Sequence, residues 1–443
     1  MTSPRRLRSR TSRRAAAPRV GLFGLLGQGN LGNDGSLEAV LGYLRADHPN
    51  ATLDALCTGP EVVSSRYGMP AAPLRWRRPA RQQASGRTAR AQKYLELGLG
   101  VGIDAFRTAS WVRRHDAVIV PGMGVLESTV PMRPWQTPCS MFVLSASGRL
   151  FGTKVALVSV GTNVIHERLT RWLITAAARL AHYRSYRDTV SRDAMRQMGL
   201  DTSGDAVYPD VVFSLPASGA GQAAPGAGQP APGAVGIGVM DYCGRNDDRG
   251  RDDEIRSAYI EKMTRFALWL VDKGRPIRLF TSDGVADAHI VQAIGAKLRE
   301  LRPELDPSLV IAEPVPSLGE LMRQTASVDT VVATRYHNVL YALLLDKPAL
   351  SLSYASKCDE LMAEMGMSRF CQPVKSLDVT RLIEQFTELE SDSARLRLMI
   401  TERNAAKARL VRSQFTELSA ALFPSAEVAR PVRERGPART GVR

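Results

Sequence analysis

An arginine and a histidine follow directly on an apolar run in the carboxyl half of the chain. Val331-Val332-Ala333 is succeeded by Thr334-Arg335-Tyr336-His337-Asn338, and a second apolar stretch begins at Val339. Charged and polar groups at the end of a buried strand cost free energy unless a partner or ligand satisfies them. His337 can serve as a general acid near neutral pH. Arg335 offers a fork of donors suited to a carboxylate or phosphate. The plain alternative is a satisfied core histidine. The other histidines (His48, His115, His166, His182, His289) fall in loops or on helix surfaces, and none has a second ligand at metal spacing, so no metal is expected.

Three further places carry residue types suited to chemistry. Gly27-Gln28-Gly29-Asn30-Leu31-Gly32-Asn33-Asp34-Gly35-Ser36 lies between an apolar run and a helical pattern. Glycines allow close backbone approach, and a helix N-terminus offers free N–H groups to an anion. Gly29, Asn30, Gly32, Asn33 and Asp34 are therefore candidate ligand contacts. Gly27, Gly29 and Gly32 also satisfy a dinucleotide fingerprint, with Asp54 22 residues past Gly32, so that reading competes. A tight turn with a capped helix is the bland one. Pro121-Gly122-Met123-Gly124-Val125-Leu126-Glu127 follows a buried run, and Gly122 and Gly124 are candidate contacts beside the reading of a simple turn. Ser185-Tyr186-Arg187-Asp188-Thr189-Val190-Ser191 brings Arg187 and Asp188 to a strand end, to clamp an anion or to pair with each other while a helix is capped. Asp210, in Tyr208-Pro209-Asp210, orients a base or sugar hydroxyl, or caps a turn.

The elements that position these residues alternate between strand and helix. Strand patterns occur at RVGLFGLLG, ATLDALCT, DAVIVPGMG, KVALVSVGTN and YRSY, and again at AVGIGVMDY, PIRLFTSD, LVIAEPV, TVVATRYH and PALSLSY. Helical periods lie between many of them. Residues 60–95 read as a basic, irregular loop, and residues 386–420 as a long charged helix able to pack back onto the first half. Residues 216–234, PASGAGQAAPGAGQPAPGA, have a linker's composition. The expectation is an α/β chain of two doubly wound, Rossmann-like domains, 19–215 and 235–424, facing across a cleft, with a basic arm over 1–18 and a basic tail over 425–443. Ligands in such sheets sit beyond the carboxyl ends of the strands.

The net charge of +15 is concentrated. Residues 1–19, 62–95 and 425–443 together carry +18, leaving the body near −3. Such segments suggest solvated arms or attraction to an anionic membrane surface. No zinc finger, recognition helix or RNA-binding signature is present, so no nucleic-acid partner is expected. No stretch of 18 or more apolar residues occurs, and no apolar core follows the basic N-terminus, which gives the expectation of a soluble, cytoplasmic protein, with peripheral contact at the inner face of the membrane. Five scattered cysteines without CxxC spacing fit reduced thiols.

Taken in order, GNLGND, PGMG, SYRDTVS, PD and TRYH make the chain similar to the polysaccharide pyruvyl transferases over about residues 18–380. There are departures: Asn33 intervenes before the acid of the usual Gly-Asp pair, and Pro121 and Met123 stand among the glycines of the second motif. The resemblance implies a fold like the two-domain GT-B glycosyltransferases, phosphoenolpyruvate as donor, and a sugar or lipid-linked glycan as acceptor. It implies His337 as the acid that protonates the donor methylene, with Arg335 and Arg187 clamping carboxylate and phosphate, and no metal or organic cofactor. Other readings are a GT-B glycosyltransferase using a nucleotide sugar, an oxidoreductase holding NAD through Gly27–Gly32, and a non-catalytic binding protein of a cell-envelope assembly.

Overall fold

The computed structural model describes residues 17–76, 87–127, 134–216, 233–244, 248 and 250–423, with the backbone alone for 87–97. The first sheet holds β1 (Arg19–Gly24), β2 (Thr52–Cys57), β3 (Ala71–Pro73), β4 (Ala117–Val120), β5 (Lys154–Val160), β6 (Tyr183–Tyr186) and β7 (Ala206–Val207), in the order β3-β2-β1-β4-β5-β6-β7. The second holds β8 (Val235–Gly238), β9 (Ile277–Phe280), β10 (Val310–Ile311), β11 (Thr330–Ala333), β12 (Ala349–Ser353) and β13 (Cys371–Pro373), ordered β10-β9-β8-β11-β12-β13. Every pairing is parallel. β4 and β11 are buried throughout, as parallel strands covered by helices on both faces must be. In both sheets the order reverses beside the first strand, between β1 and β4 and between β8 and β11. That reversal opens the crevice in which doubly wound sheets bind ligands.

The helices are α1 (Leu31–Asp47), α2 (Pro60–Tyr67), α3 (Arg87–Val112), α4 (Thr137–Phe151), α5 (Arg168–Leu180) and α6 (Thr189–Gln197), then α7 (Asp252–Val271), α8 (Gly284–Leu301), α9 (Leu318–Ala326), α10 (Tyr336–Leu344), α11 (Ser356–Glu364), α12 (Val379–Ser391) and α13 (Ser393–Leu422). Residues 60–95 are more regular than their composition predicts: α2 opens on Pro60 and ends at Gly68 in the left-handed region, β3 follows, and α3 has begun by Arg87. Gly98, Gly100 and Gly102 dilute the helical signal of α3. The long terminal helix is two helices, broken at Asp392.

α13 returns to the first sheet. The Lys154 ammonium donates to the carbonyls of Ala421 and Leu422 at 2.8 and 3.2 Å. Gln414 donates to the hydroxyls of Ser159 and Ser185, both at 2.8 Å, and Phe415 stacks on Tyr43 at 4.4 Å. Ser159 has φ 46°, uncommon outside glycine, and Gln414 fastens it there. The arm, linker and tail expected over 1–18, 216–234 and 425–443 lie outside the described residues, apart from 17–18, 216 and 233–234. Among the described residues no helix is long and apolar enough to cross a membrane.

Candidate active site

Arg187 follows β6 and is only 5% exposed. Its Nη2 donates to Glu127 Oε1 at 3.0 Å, its Nε to Asp188 Oδ2 at 3.4 Å, and its Nη1 lies 3.8 Å from Asp210 Oδ2. The guanidinium carbon stands 4.8 Å from the centre of the Tyr336 ring. Gly161, at the end of β5, makes this possible: a Cβ there would come within 2.6 Å of both Arg187 Nη2 and Glu127 Oε1. Asp188 also caps α6, accepting from Ser191 N at 2.6 Å. The reading of Arg187 and Asp188 as a pair beside a capped helix is thus met, with Asp188 itself as the cap.

Lys357 enters this cluster from the other sheet, at the start of α11, and its Nζ donates to Glu127 Oε2 at 2.9 Å. One carboxylate of the first domain is therefore held between a cation of its own domain and a cation of the second. Burial alone would raise the Glu127 carboxyl, but Lys357 and Arg187 overcome it and hold it at about 2. Neither Glu127 nor Lys357 was singled out from the sequence. Glu127 stands in the loop after β4 and Lys357 in the first turn of α11, and the rule that ligands gather at strand ends points to Lys357, four residues beyond β12.

Asp210 is 2% exposed. Its Oδ1 accepts from Val212 N at 3.2 Å, and its Oδ2 makes no hydrogen bond to the described residues. Burial pushes its carboxyl up to about 6, against the pull of Arg187. Arg335, at the N-terminal boundary of α10, is engaged along one edge: Nε and Nη2 donate to the two oxygens of Asp287, both at 2.7 Å. Asp287 is fully buried and also accepts from Asp241 N at 2.9 Å and the Thr281 hydroxyl at 2.7 Å. Asp283 Oδ2 lies 4.0 Å from Arg335 Nη2.

His337, in the first turn of α10, is half-buried and packs against the glycine loop of the other domain. A Cβ on Gly32 would lie 2.1 Å from the imidazole Nδ1 and Cε1. Burial first, then Arg187 and Lys357, press the imidazole well below its ordinary value, with Glu127 opposing. It is therefore neutral at neutral pH. His115, expected at the surface, is buried and bonded to Asp54 Oδ1 at 2.8 Å, and Trp111 Nε1 donates to the same oxygen at 3.0 Å. The acid of the dinucleotide reading thus has protein partners.

The glycine loop spends its polar groups on the protein. Asn30 caps α1, accepting from Gly32 N and Asn33 N at 3.2 and 3.3 Å, and its Nδ2 donates across the cleft to Asp283 Oδ2 at 3.2 Å. Leu31 N donates to Ser282 O at 2.9 Å, again across the cleft. Asn33 Nδ2 donates to Leu25 O at 2.9 Å, and Asp34 accepts from Gly27 N at 3.0 Å and Arg66 Nη1 at 3.2 Å. Gly29, at φ 88°, faces Val285 of the second domain. The Gly122 carbonyl takes the Ser36 hydroxyl, and bare Gly124 leaves room for the Glu127 carboxylate. So Arg187, Asp188, Asp210, His337 and, through Glu127, Gly124 gather in one cluster. Arg335 borders it, while Asn30, Asn33 and Asp34 shape the loop that seats the imidazole.

The whole fold resembles solved sugar-nucleotide epimerases. A UDP-N-acetylglucosamine 2-epimerase matches with a TM-score of 0.59 at 13% identity, covering 96% of this chain and 99% of the other. The putative UDP-N-acetylglucosamine 2-epimerase of Listeria monocytogenes gives 0.58 at 10% identity, covering 91% and 96%. The UDP-GlcNAc 2-epimerase of Neisseria meningitidis gives 0.54 at 14% identity, covering 90% and 99%. These likenesses establish two Rossmann-like domains in a GT-B-like arrangement. Comparison with curated proteins gives no match. A family model described as polysaccharide pyruvyl transferase matches residues 30–356, from the N-cap of α1 to the first residue of α11, and so contains both domains' contributions to the cluster around Glu127 save Lys357 itself. The chain belongs to the polysaccharide pyruvyl transferase family.

Proposed function

We propose that this enzyme transfers pyruvate from phosphoenolpyruvate to a sugar of a cell-surface glycan or of its lipid-linked precursor, as a cyclic ketal. The observation that carries this reading is the convergence of Arg187 and Lys357, from opposite domains, on one carboxylate beside His337. A donor that bears both a carboxylate and a phosphate is the kind of ligand such a place attracts.

In the reaction a proton adds to C3 of the donor and positive charge develops at C2. An acceptor hydroxyl bonds to C2 and gives up its proton. The bond from C2 to the phosphate oxygen breaks, the electron pair leaving on inorganic phosphate, and a second hydroxyl closes the ketal ring as its proton passes to that phosphate. Arg187 and Lys357 stabilise the departing phosphate as its charge grows. Burial, with Arg187 and Lys357 nearby, favours the neutral imidazole of His337; a trianionic donor bound beside it favours the protonated form, which carries the proton for C3. In this scheme Asp210, at about 6, accepts the hydroxyl proton. No metal or organic cofactor enters this scheme.

The test is phosphate release from phosphoenolpyruvate in the presence of candidate glycan acceptors, run beside UDP release from UDP-sugars. Release that requires both donor and acceptor, and falls at least a hundredfold in Arg187→Ala, supports the reading. Turnover of a UDP-sugar with phosphoenolpyruvate ignored replaces it with glycosyl transfer.

A further inference from the structure

Leu169 and Trp172, one turn apart on α5, are 53% and 55% exposed, although residues of this kind are usually covered. Val164 in the preceding loop and Trp135 just ahead of α4 are exposed as well. The Phe142 ring lies beside Trp172 at 5.2 Å, so the α4–α5 pair presents joined aromatic surface to solvent. Arg168 and Arg171 flank it. Neither α4 nor α5 contains an acidic residue, and the nearest, Glu167, accepts the Thr170 hydroxyl.

The position of this surface is set by topology. α4 follows β4 and α5 follows β5, so both helices begin at the carboxyl edge of the first sheet, where Glu127 and Thr162 also stand. A backbone bridge between Leu126 and Thr162 joins the two loops. We propose that this end of α4 and α5 is a docking surface for an anionic lipid bilayer. Tryptophan and leucine enter the headgroup boundary while the arginines meet its negative charge. Bilayer contact is independent of the reaction; its consequence, that a lipid-linked sugar is presented beside Glu127, rests on the reading above. The opposite end of α4 supplies a control: Leu150 is 76% exposed and lies about 12 Å along the helix from Phe142.

Sedimentation of the full chain with vesicles of phosphatidylcholine and phosphatidylglycerol in equal parts, and with phosphatidylcholine alone, tests this. Wild type is expected to bind the anionic vesicles, more weakly at high salt, with a blue shift in tryptophan emission. Leu169→Glu/Trp172→Glu, shown folded by circular dichroism, should lose roughly tenfold or more in partitioning, Arg168→Gln/Arg171→Gln should lose most of the salt dependence, and Leu150→Glu should bind as wild type does. The proposal is overturned if wild type ignores vesicles, if the double glutamate variant binds undiminished, if Leu150→Glu weakens binding equally, or if the patch proves to bury itself in a dimer that the double variant splits. Phosphate release is read separately: an inactive enzyme that still binds vesicles sinks the reading of the reaction and leaves this one standing.

Discussion

The imidazole of His337 occupies the space that a side chain on Gly32 would need, with 2.1 Å between a Cβ there and the ring. The first and last motifs of the chain, 305 residues apart, are thus two sides of one contact. Gly32→Ala keeps a good helix former in α1 and forces the ring away. It should lower phosphate release about a hundredfold while the folded chain persists by circular dichroism. Wild-type turnover in this variant would remove His337 from the reaction as placed here.

Glu127 links stability to acid. Its carboxyl sits at about 2 in the folded chain against an ordinary 4.5, so it contributes stability that is complete above about pH 4.5 and is lost as the pH falls toward 2. The contribution is roughly 3 kcal/mol. Urea melts from pH 6 down to pH 3 should show the wild type losing stability faster than Glu127→Gln, which begins lower. Parallel curves would mean that Lys357 and Arg187 do not hold this carboxylate.

Asp210 has the opposite sign. Its folded value of about 6 is above the ordinary 3.8, so the ionised carboxylate costs stability that is regained as the pH drops through 6. Asp210→Asn should melt higher than wild type at pH 7.5, with the difference gone below about pH 4, yet its transfer rate should fall at least tenfold. A variant both less stable and fully active at pH 7.5 contradicts the assignment.

If Arg335 helps clamp the donor, as the family resemblance implies, Asp287 acts as a positioning residue through it. Asp287→Asn keeps the shape but removes the charge that fixes the guanidinium. Donor KM should rise roughly tenfold with kcat changing less. Asp287→Glu should restore part of the loss, and a purely structural role would instead lower the melting temperature in both variants and leave KM alone.

Much of the cluster is legible in the sequence because its side chains stand where strand patterns end. The run Val331–Ala333 announced Arg335 and His337, and the Tyr183–Tyr186 strand announced Arg187. Lys357 was missed because Tyr354-Ala355-Ser356-Lys357 looks like an ordinary surface loop, and only the folding of one domain against the other gives its ammonium a carboxylate. The loop Gly29–Asp34 shows the reverse. Its residue types promised a ligand cradle, but Asn30, Asn33 and Asp34 bond to the protein, because a loop that seats an imidazole must first be rigid. The helices over 87–112 and 137–151 were hidden by glycine and serine in their sequences, and packing overrode weak local preference.

The return of α13 to the first sheet sets the order in which the molecule can be finished during synthesis. Ser159, one residue before the end of β5, waits for Gln414, and Lys154 waits for the carbonyls of Ala421 and Leu422. The first sheet is therefore made early and completed late: these contacts form only after residues 414–422 have been synthesised.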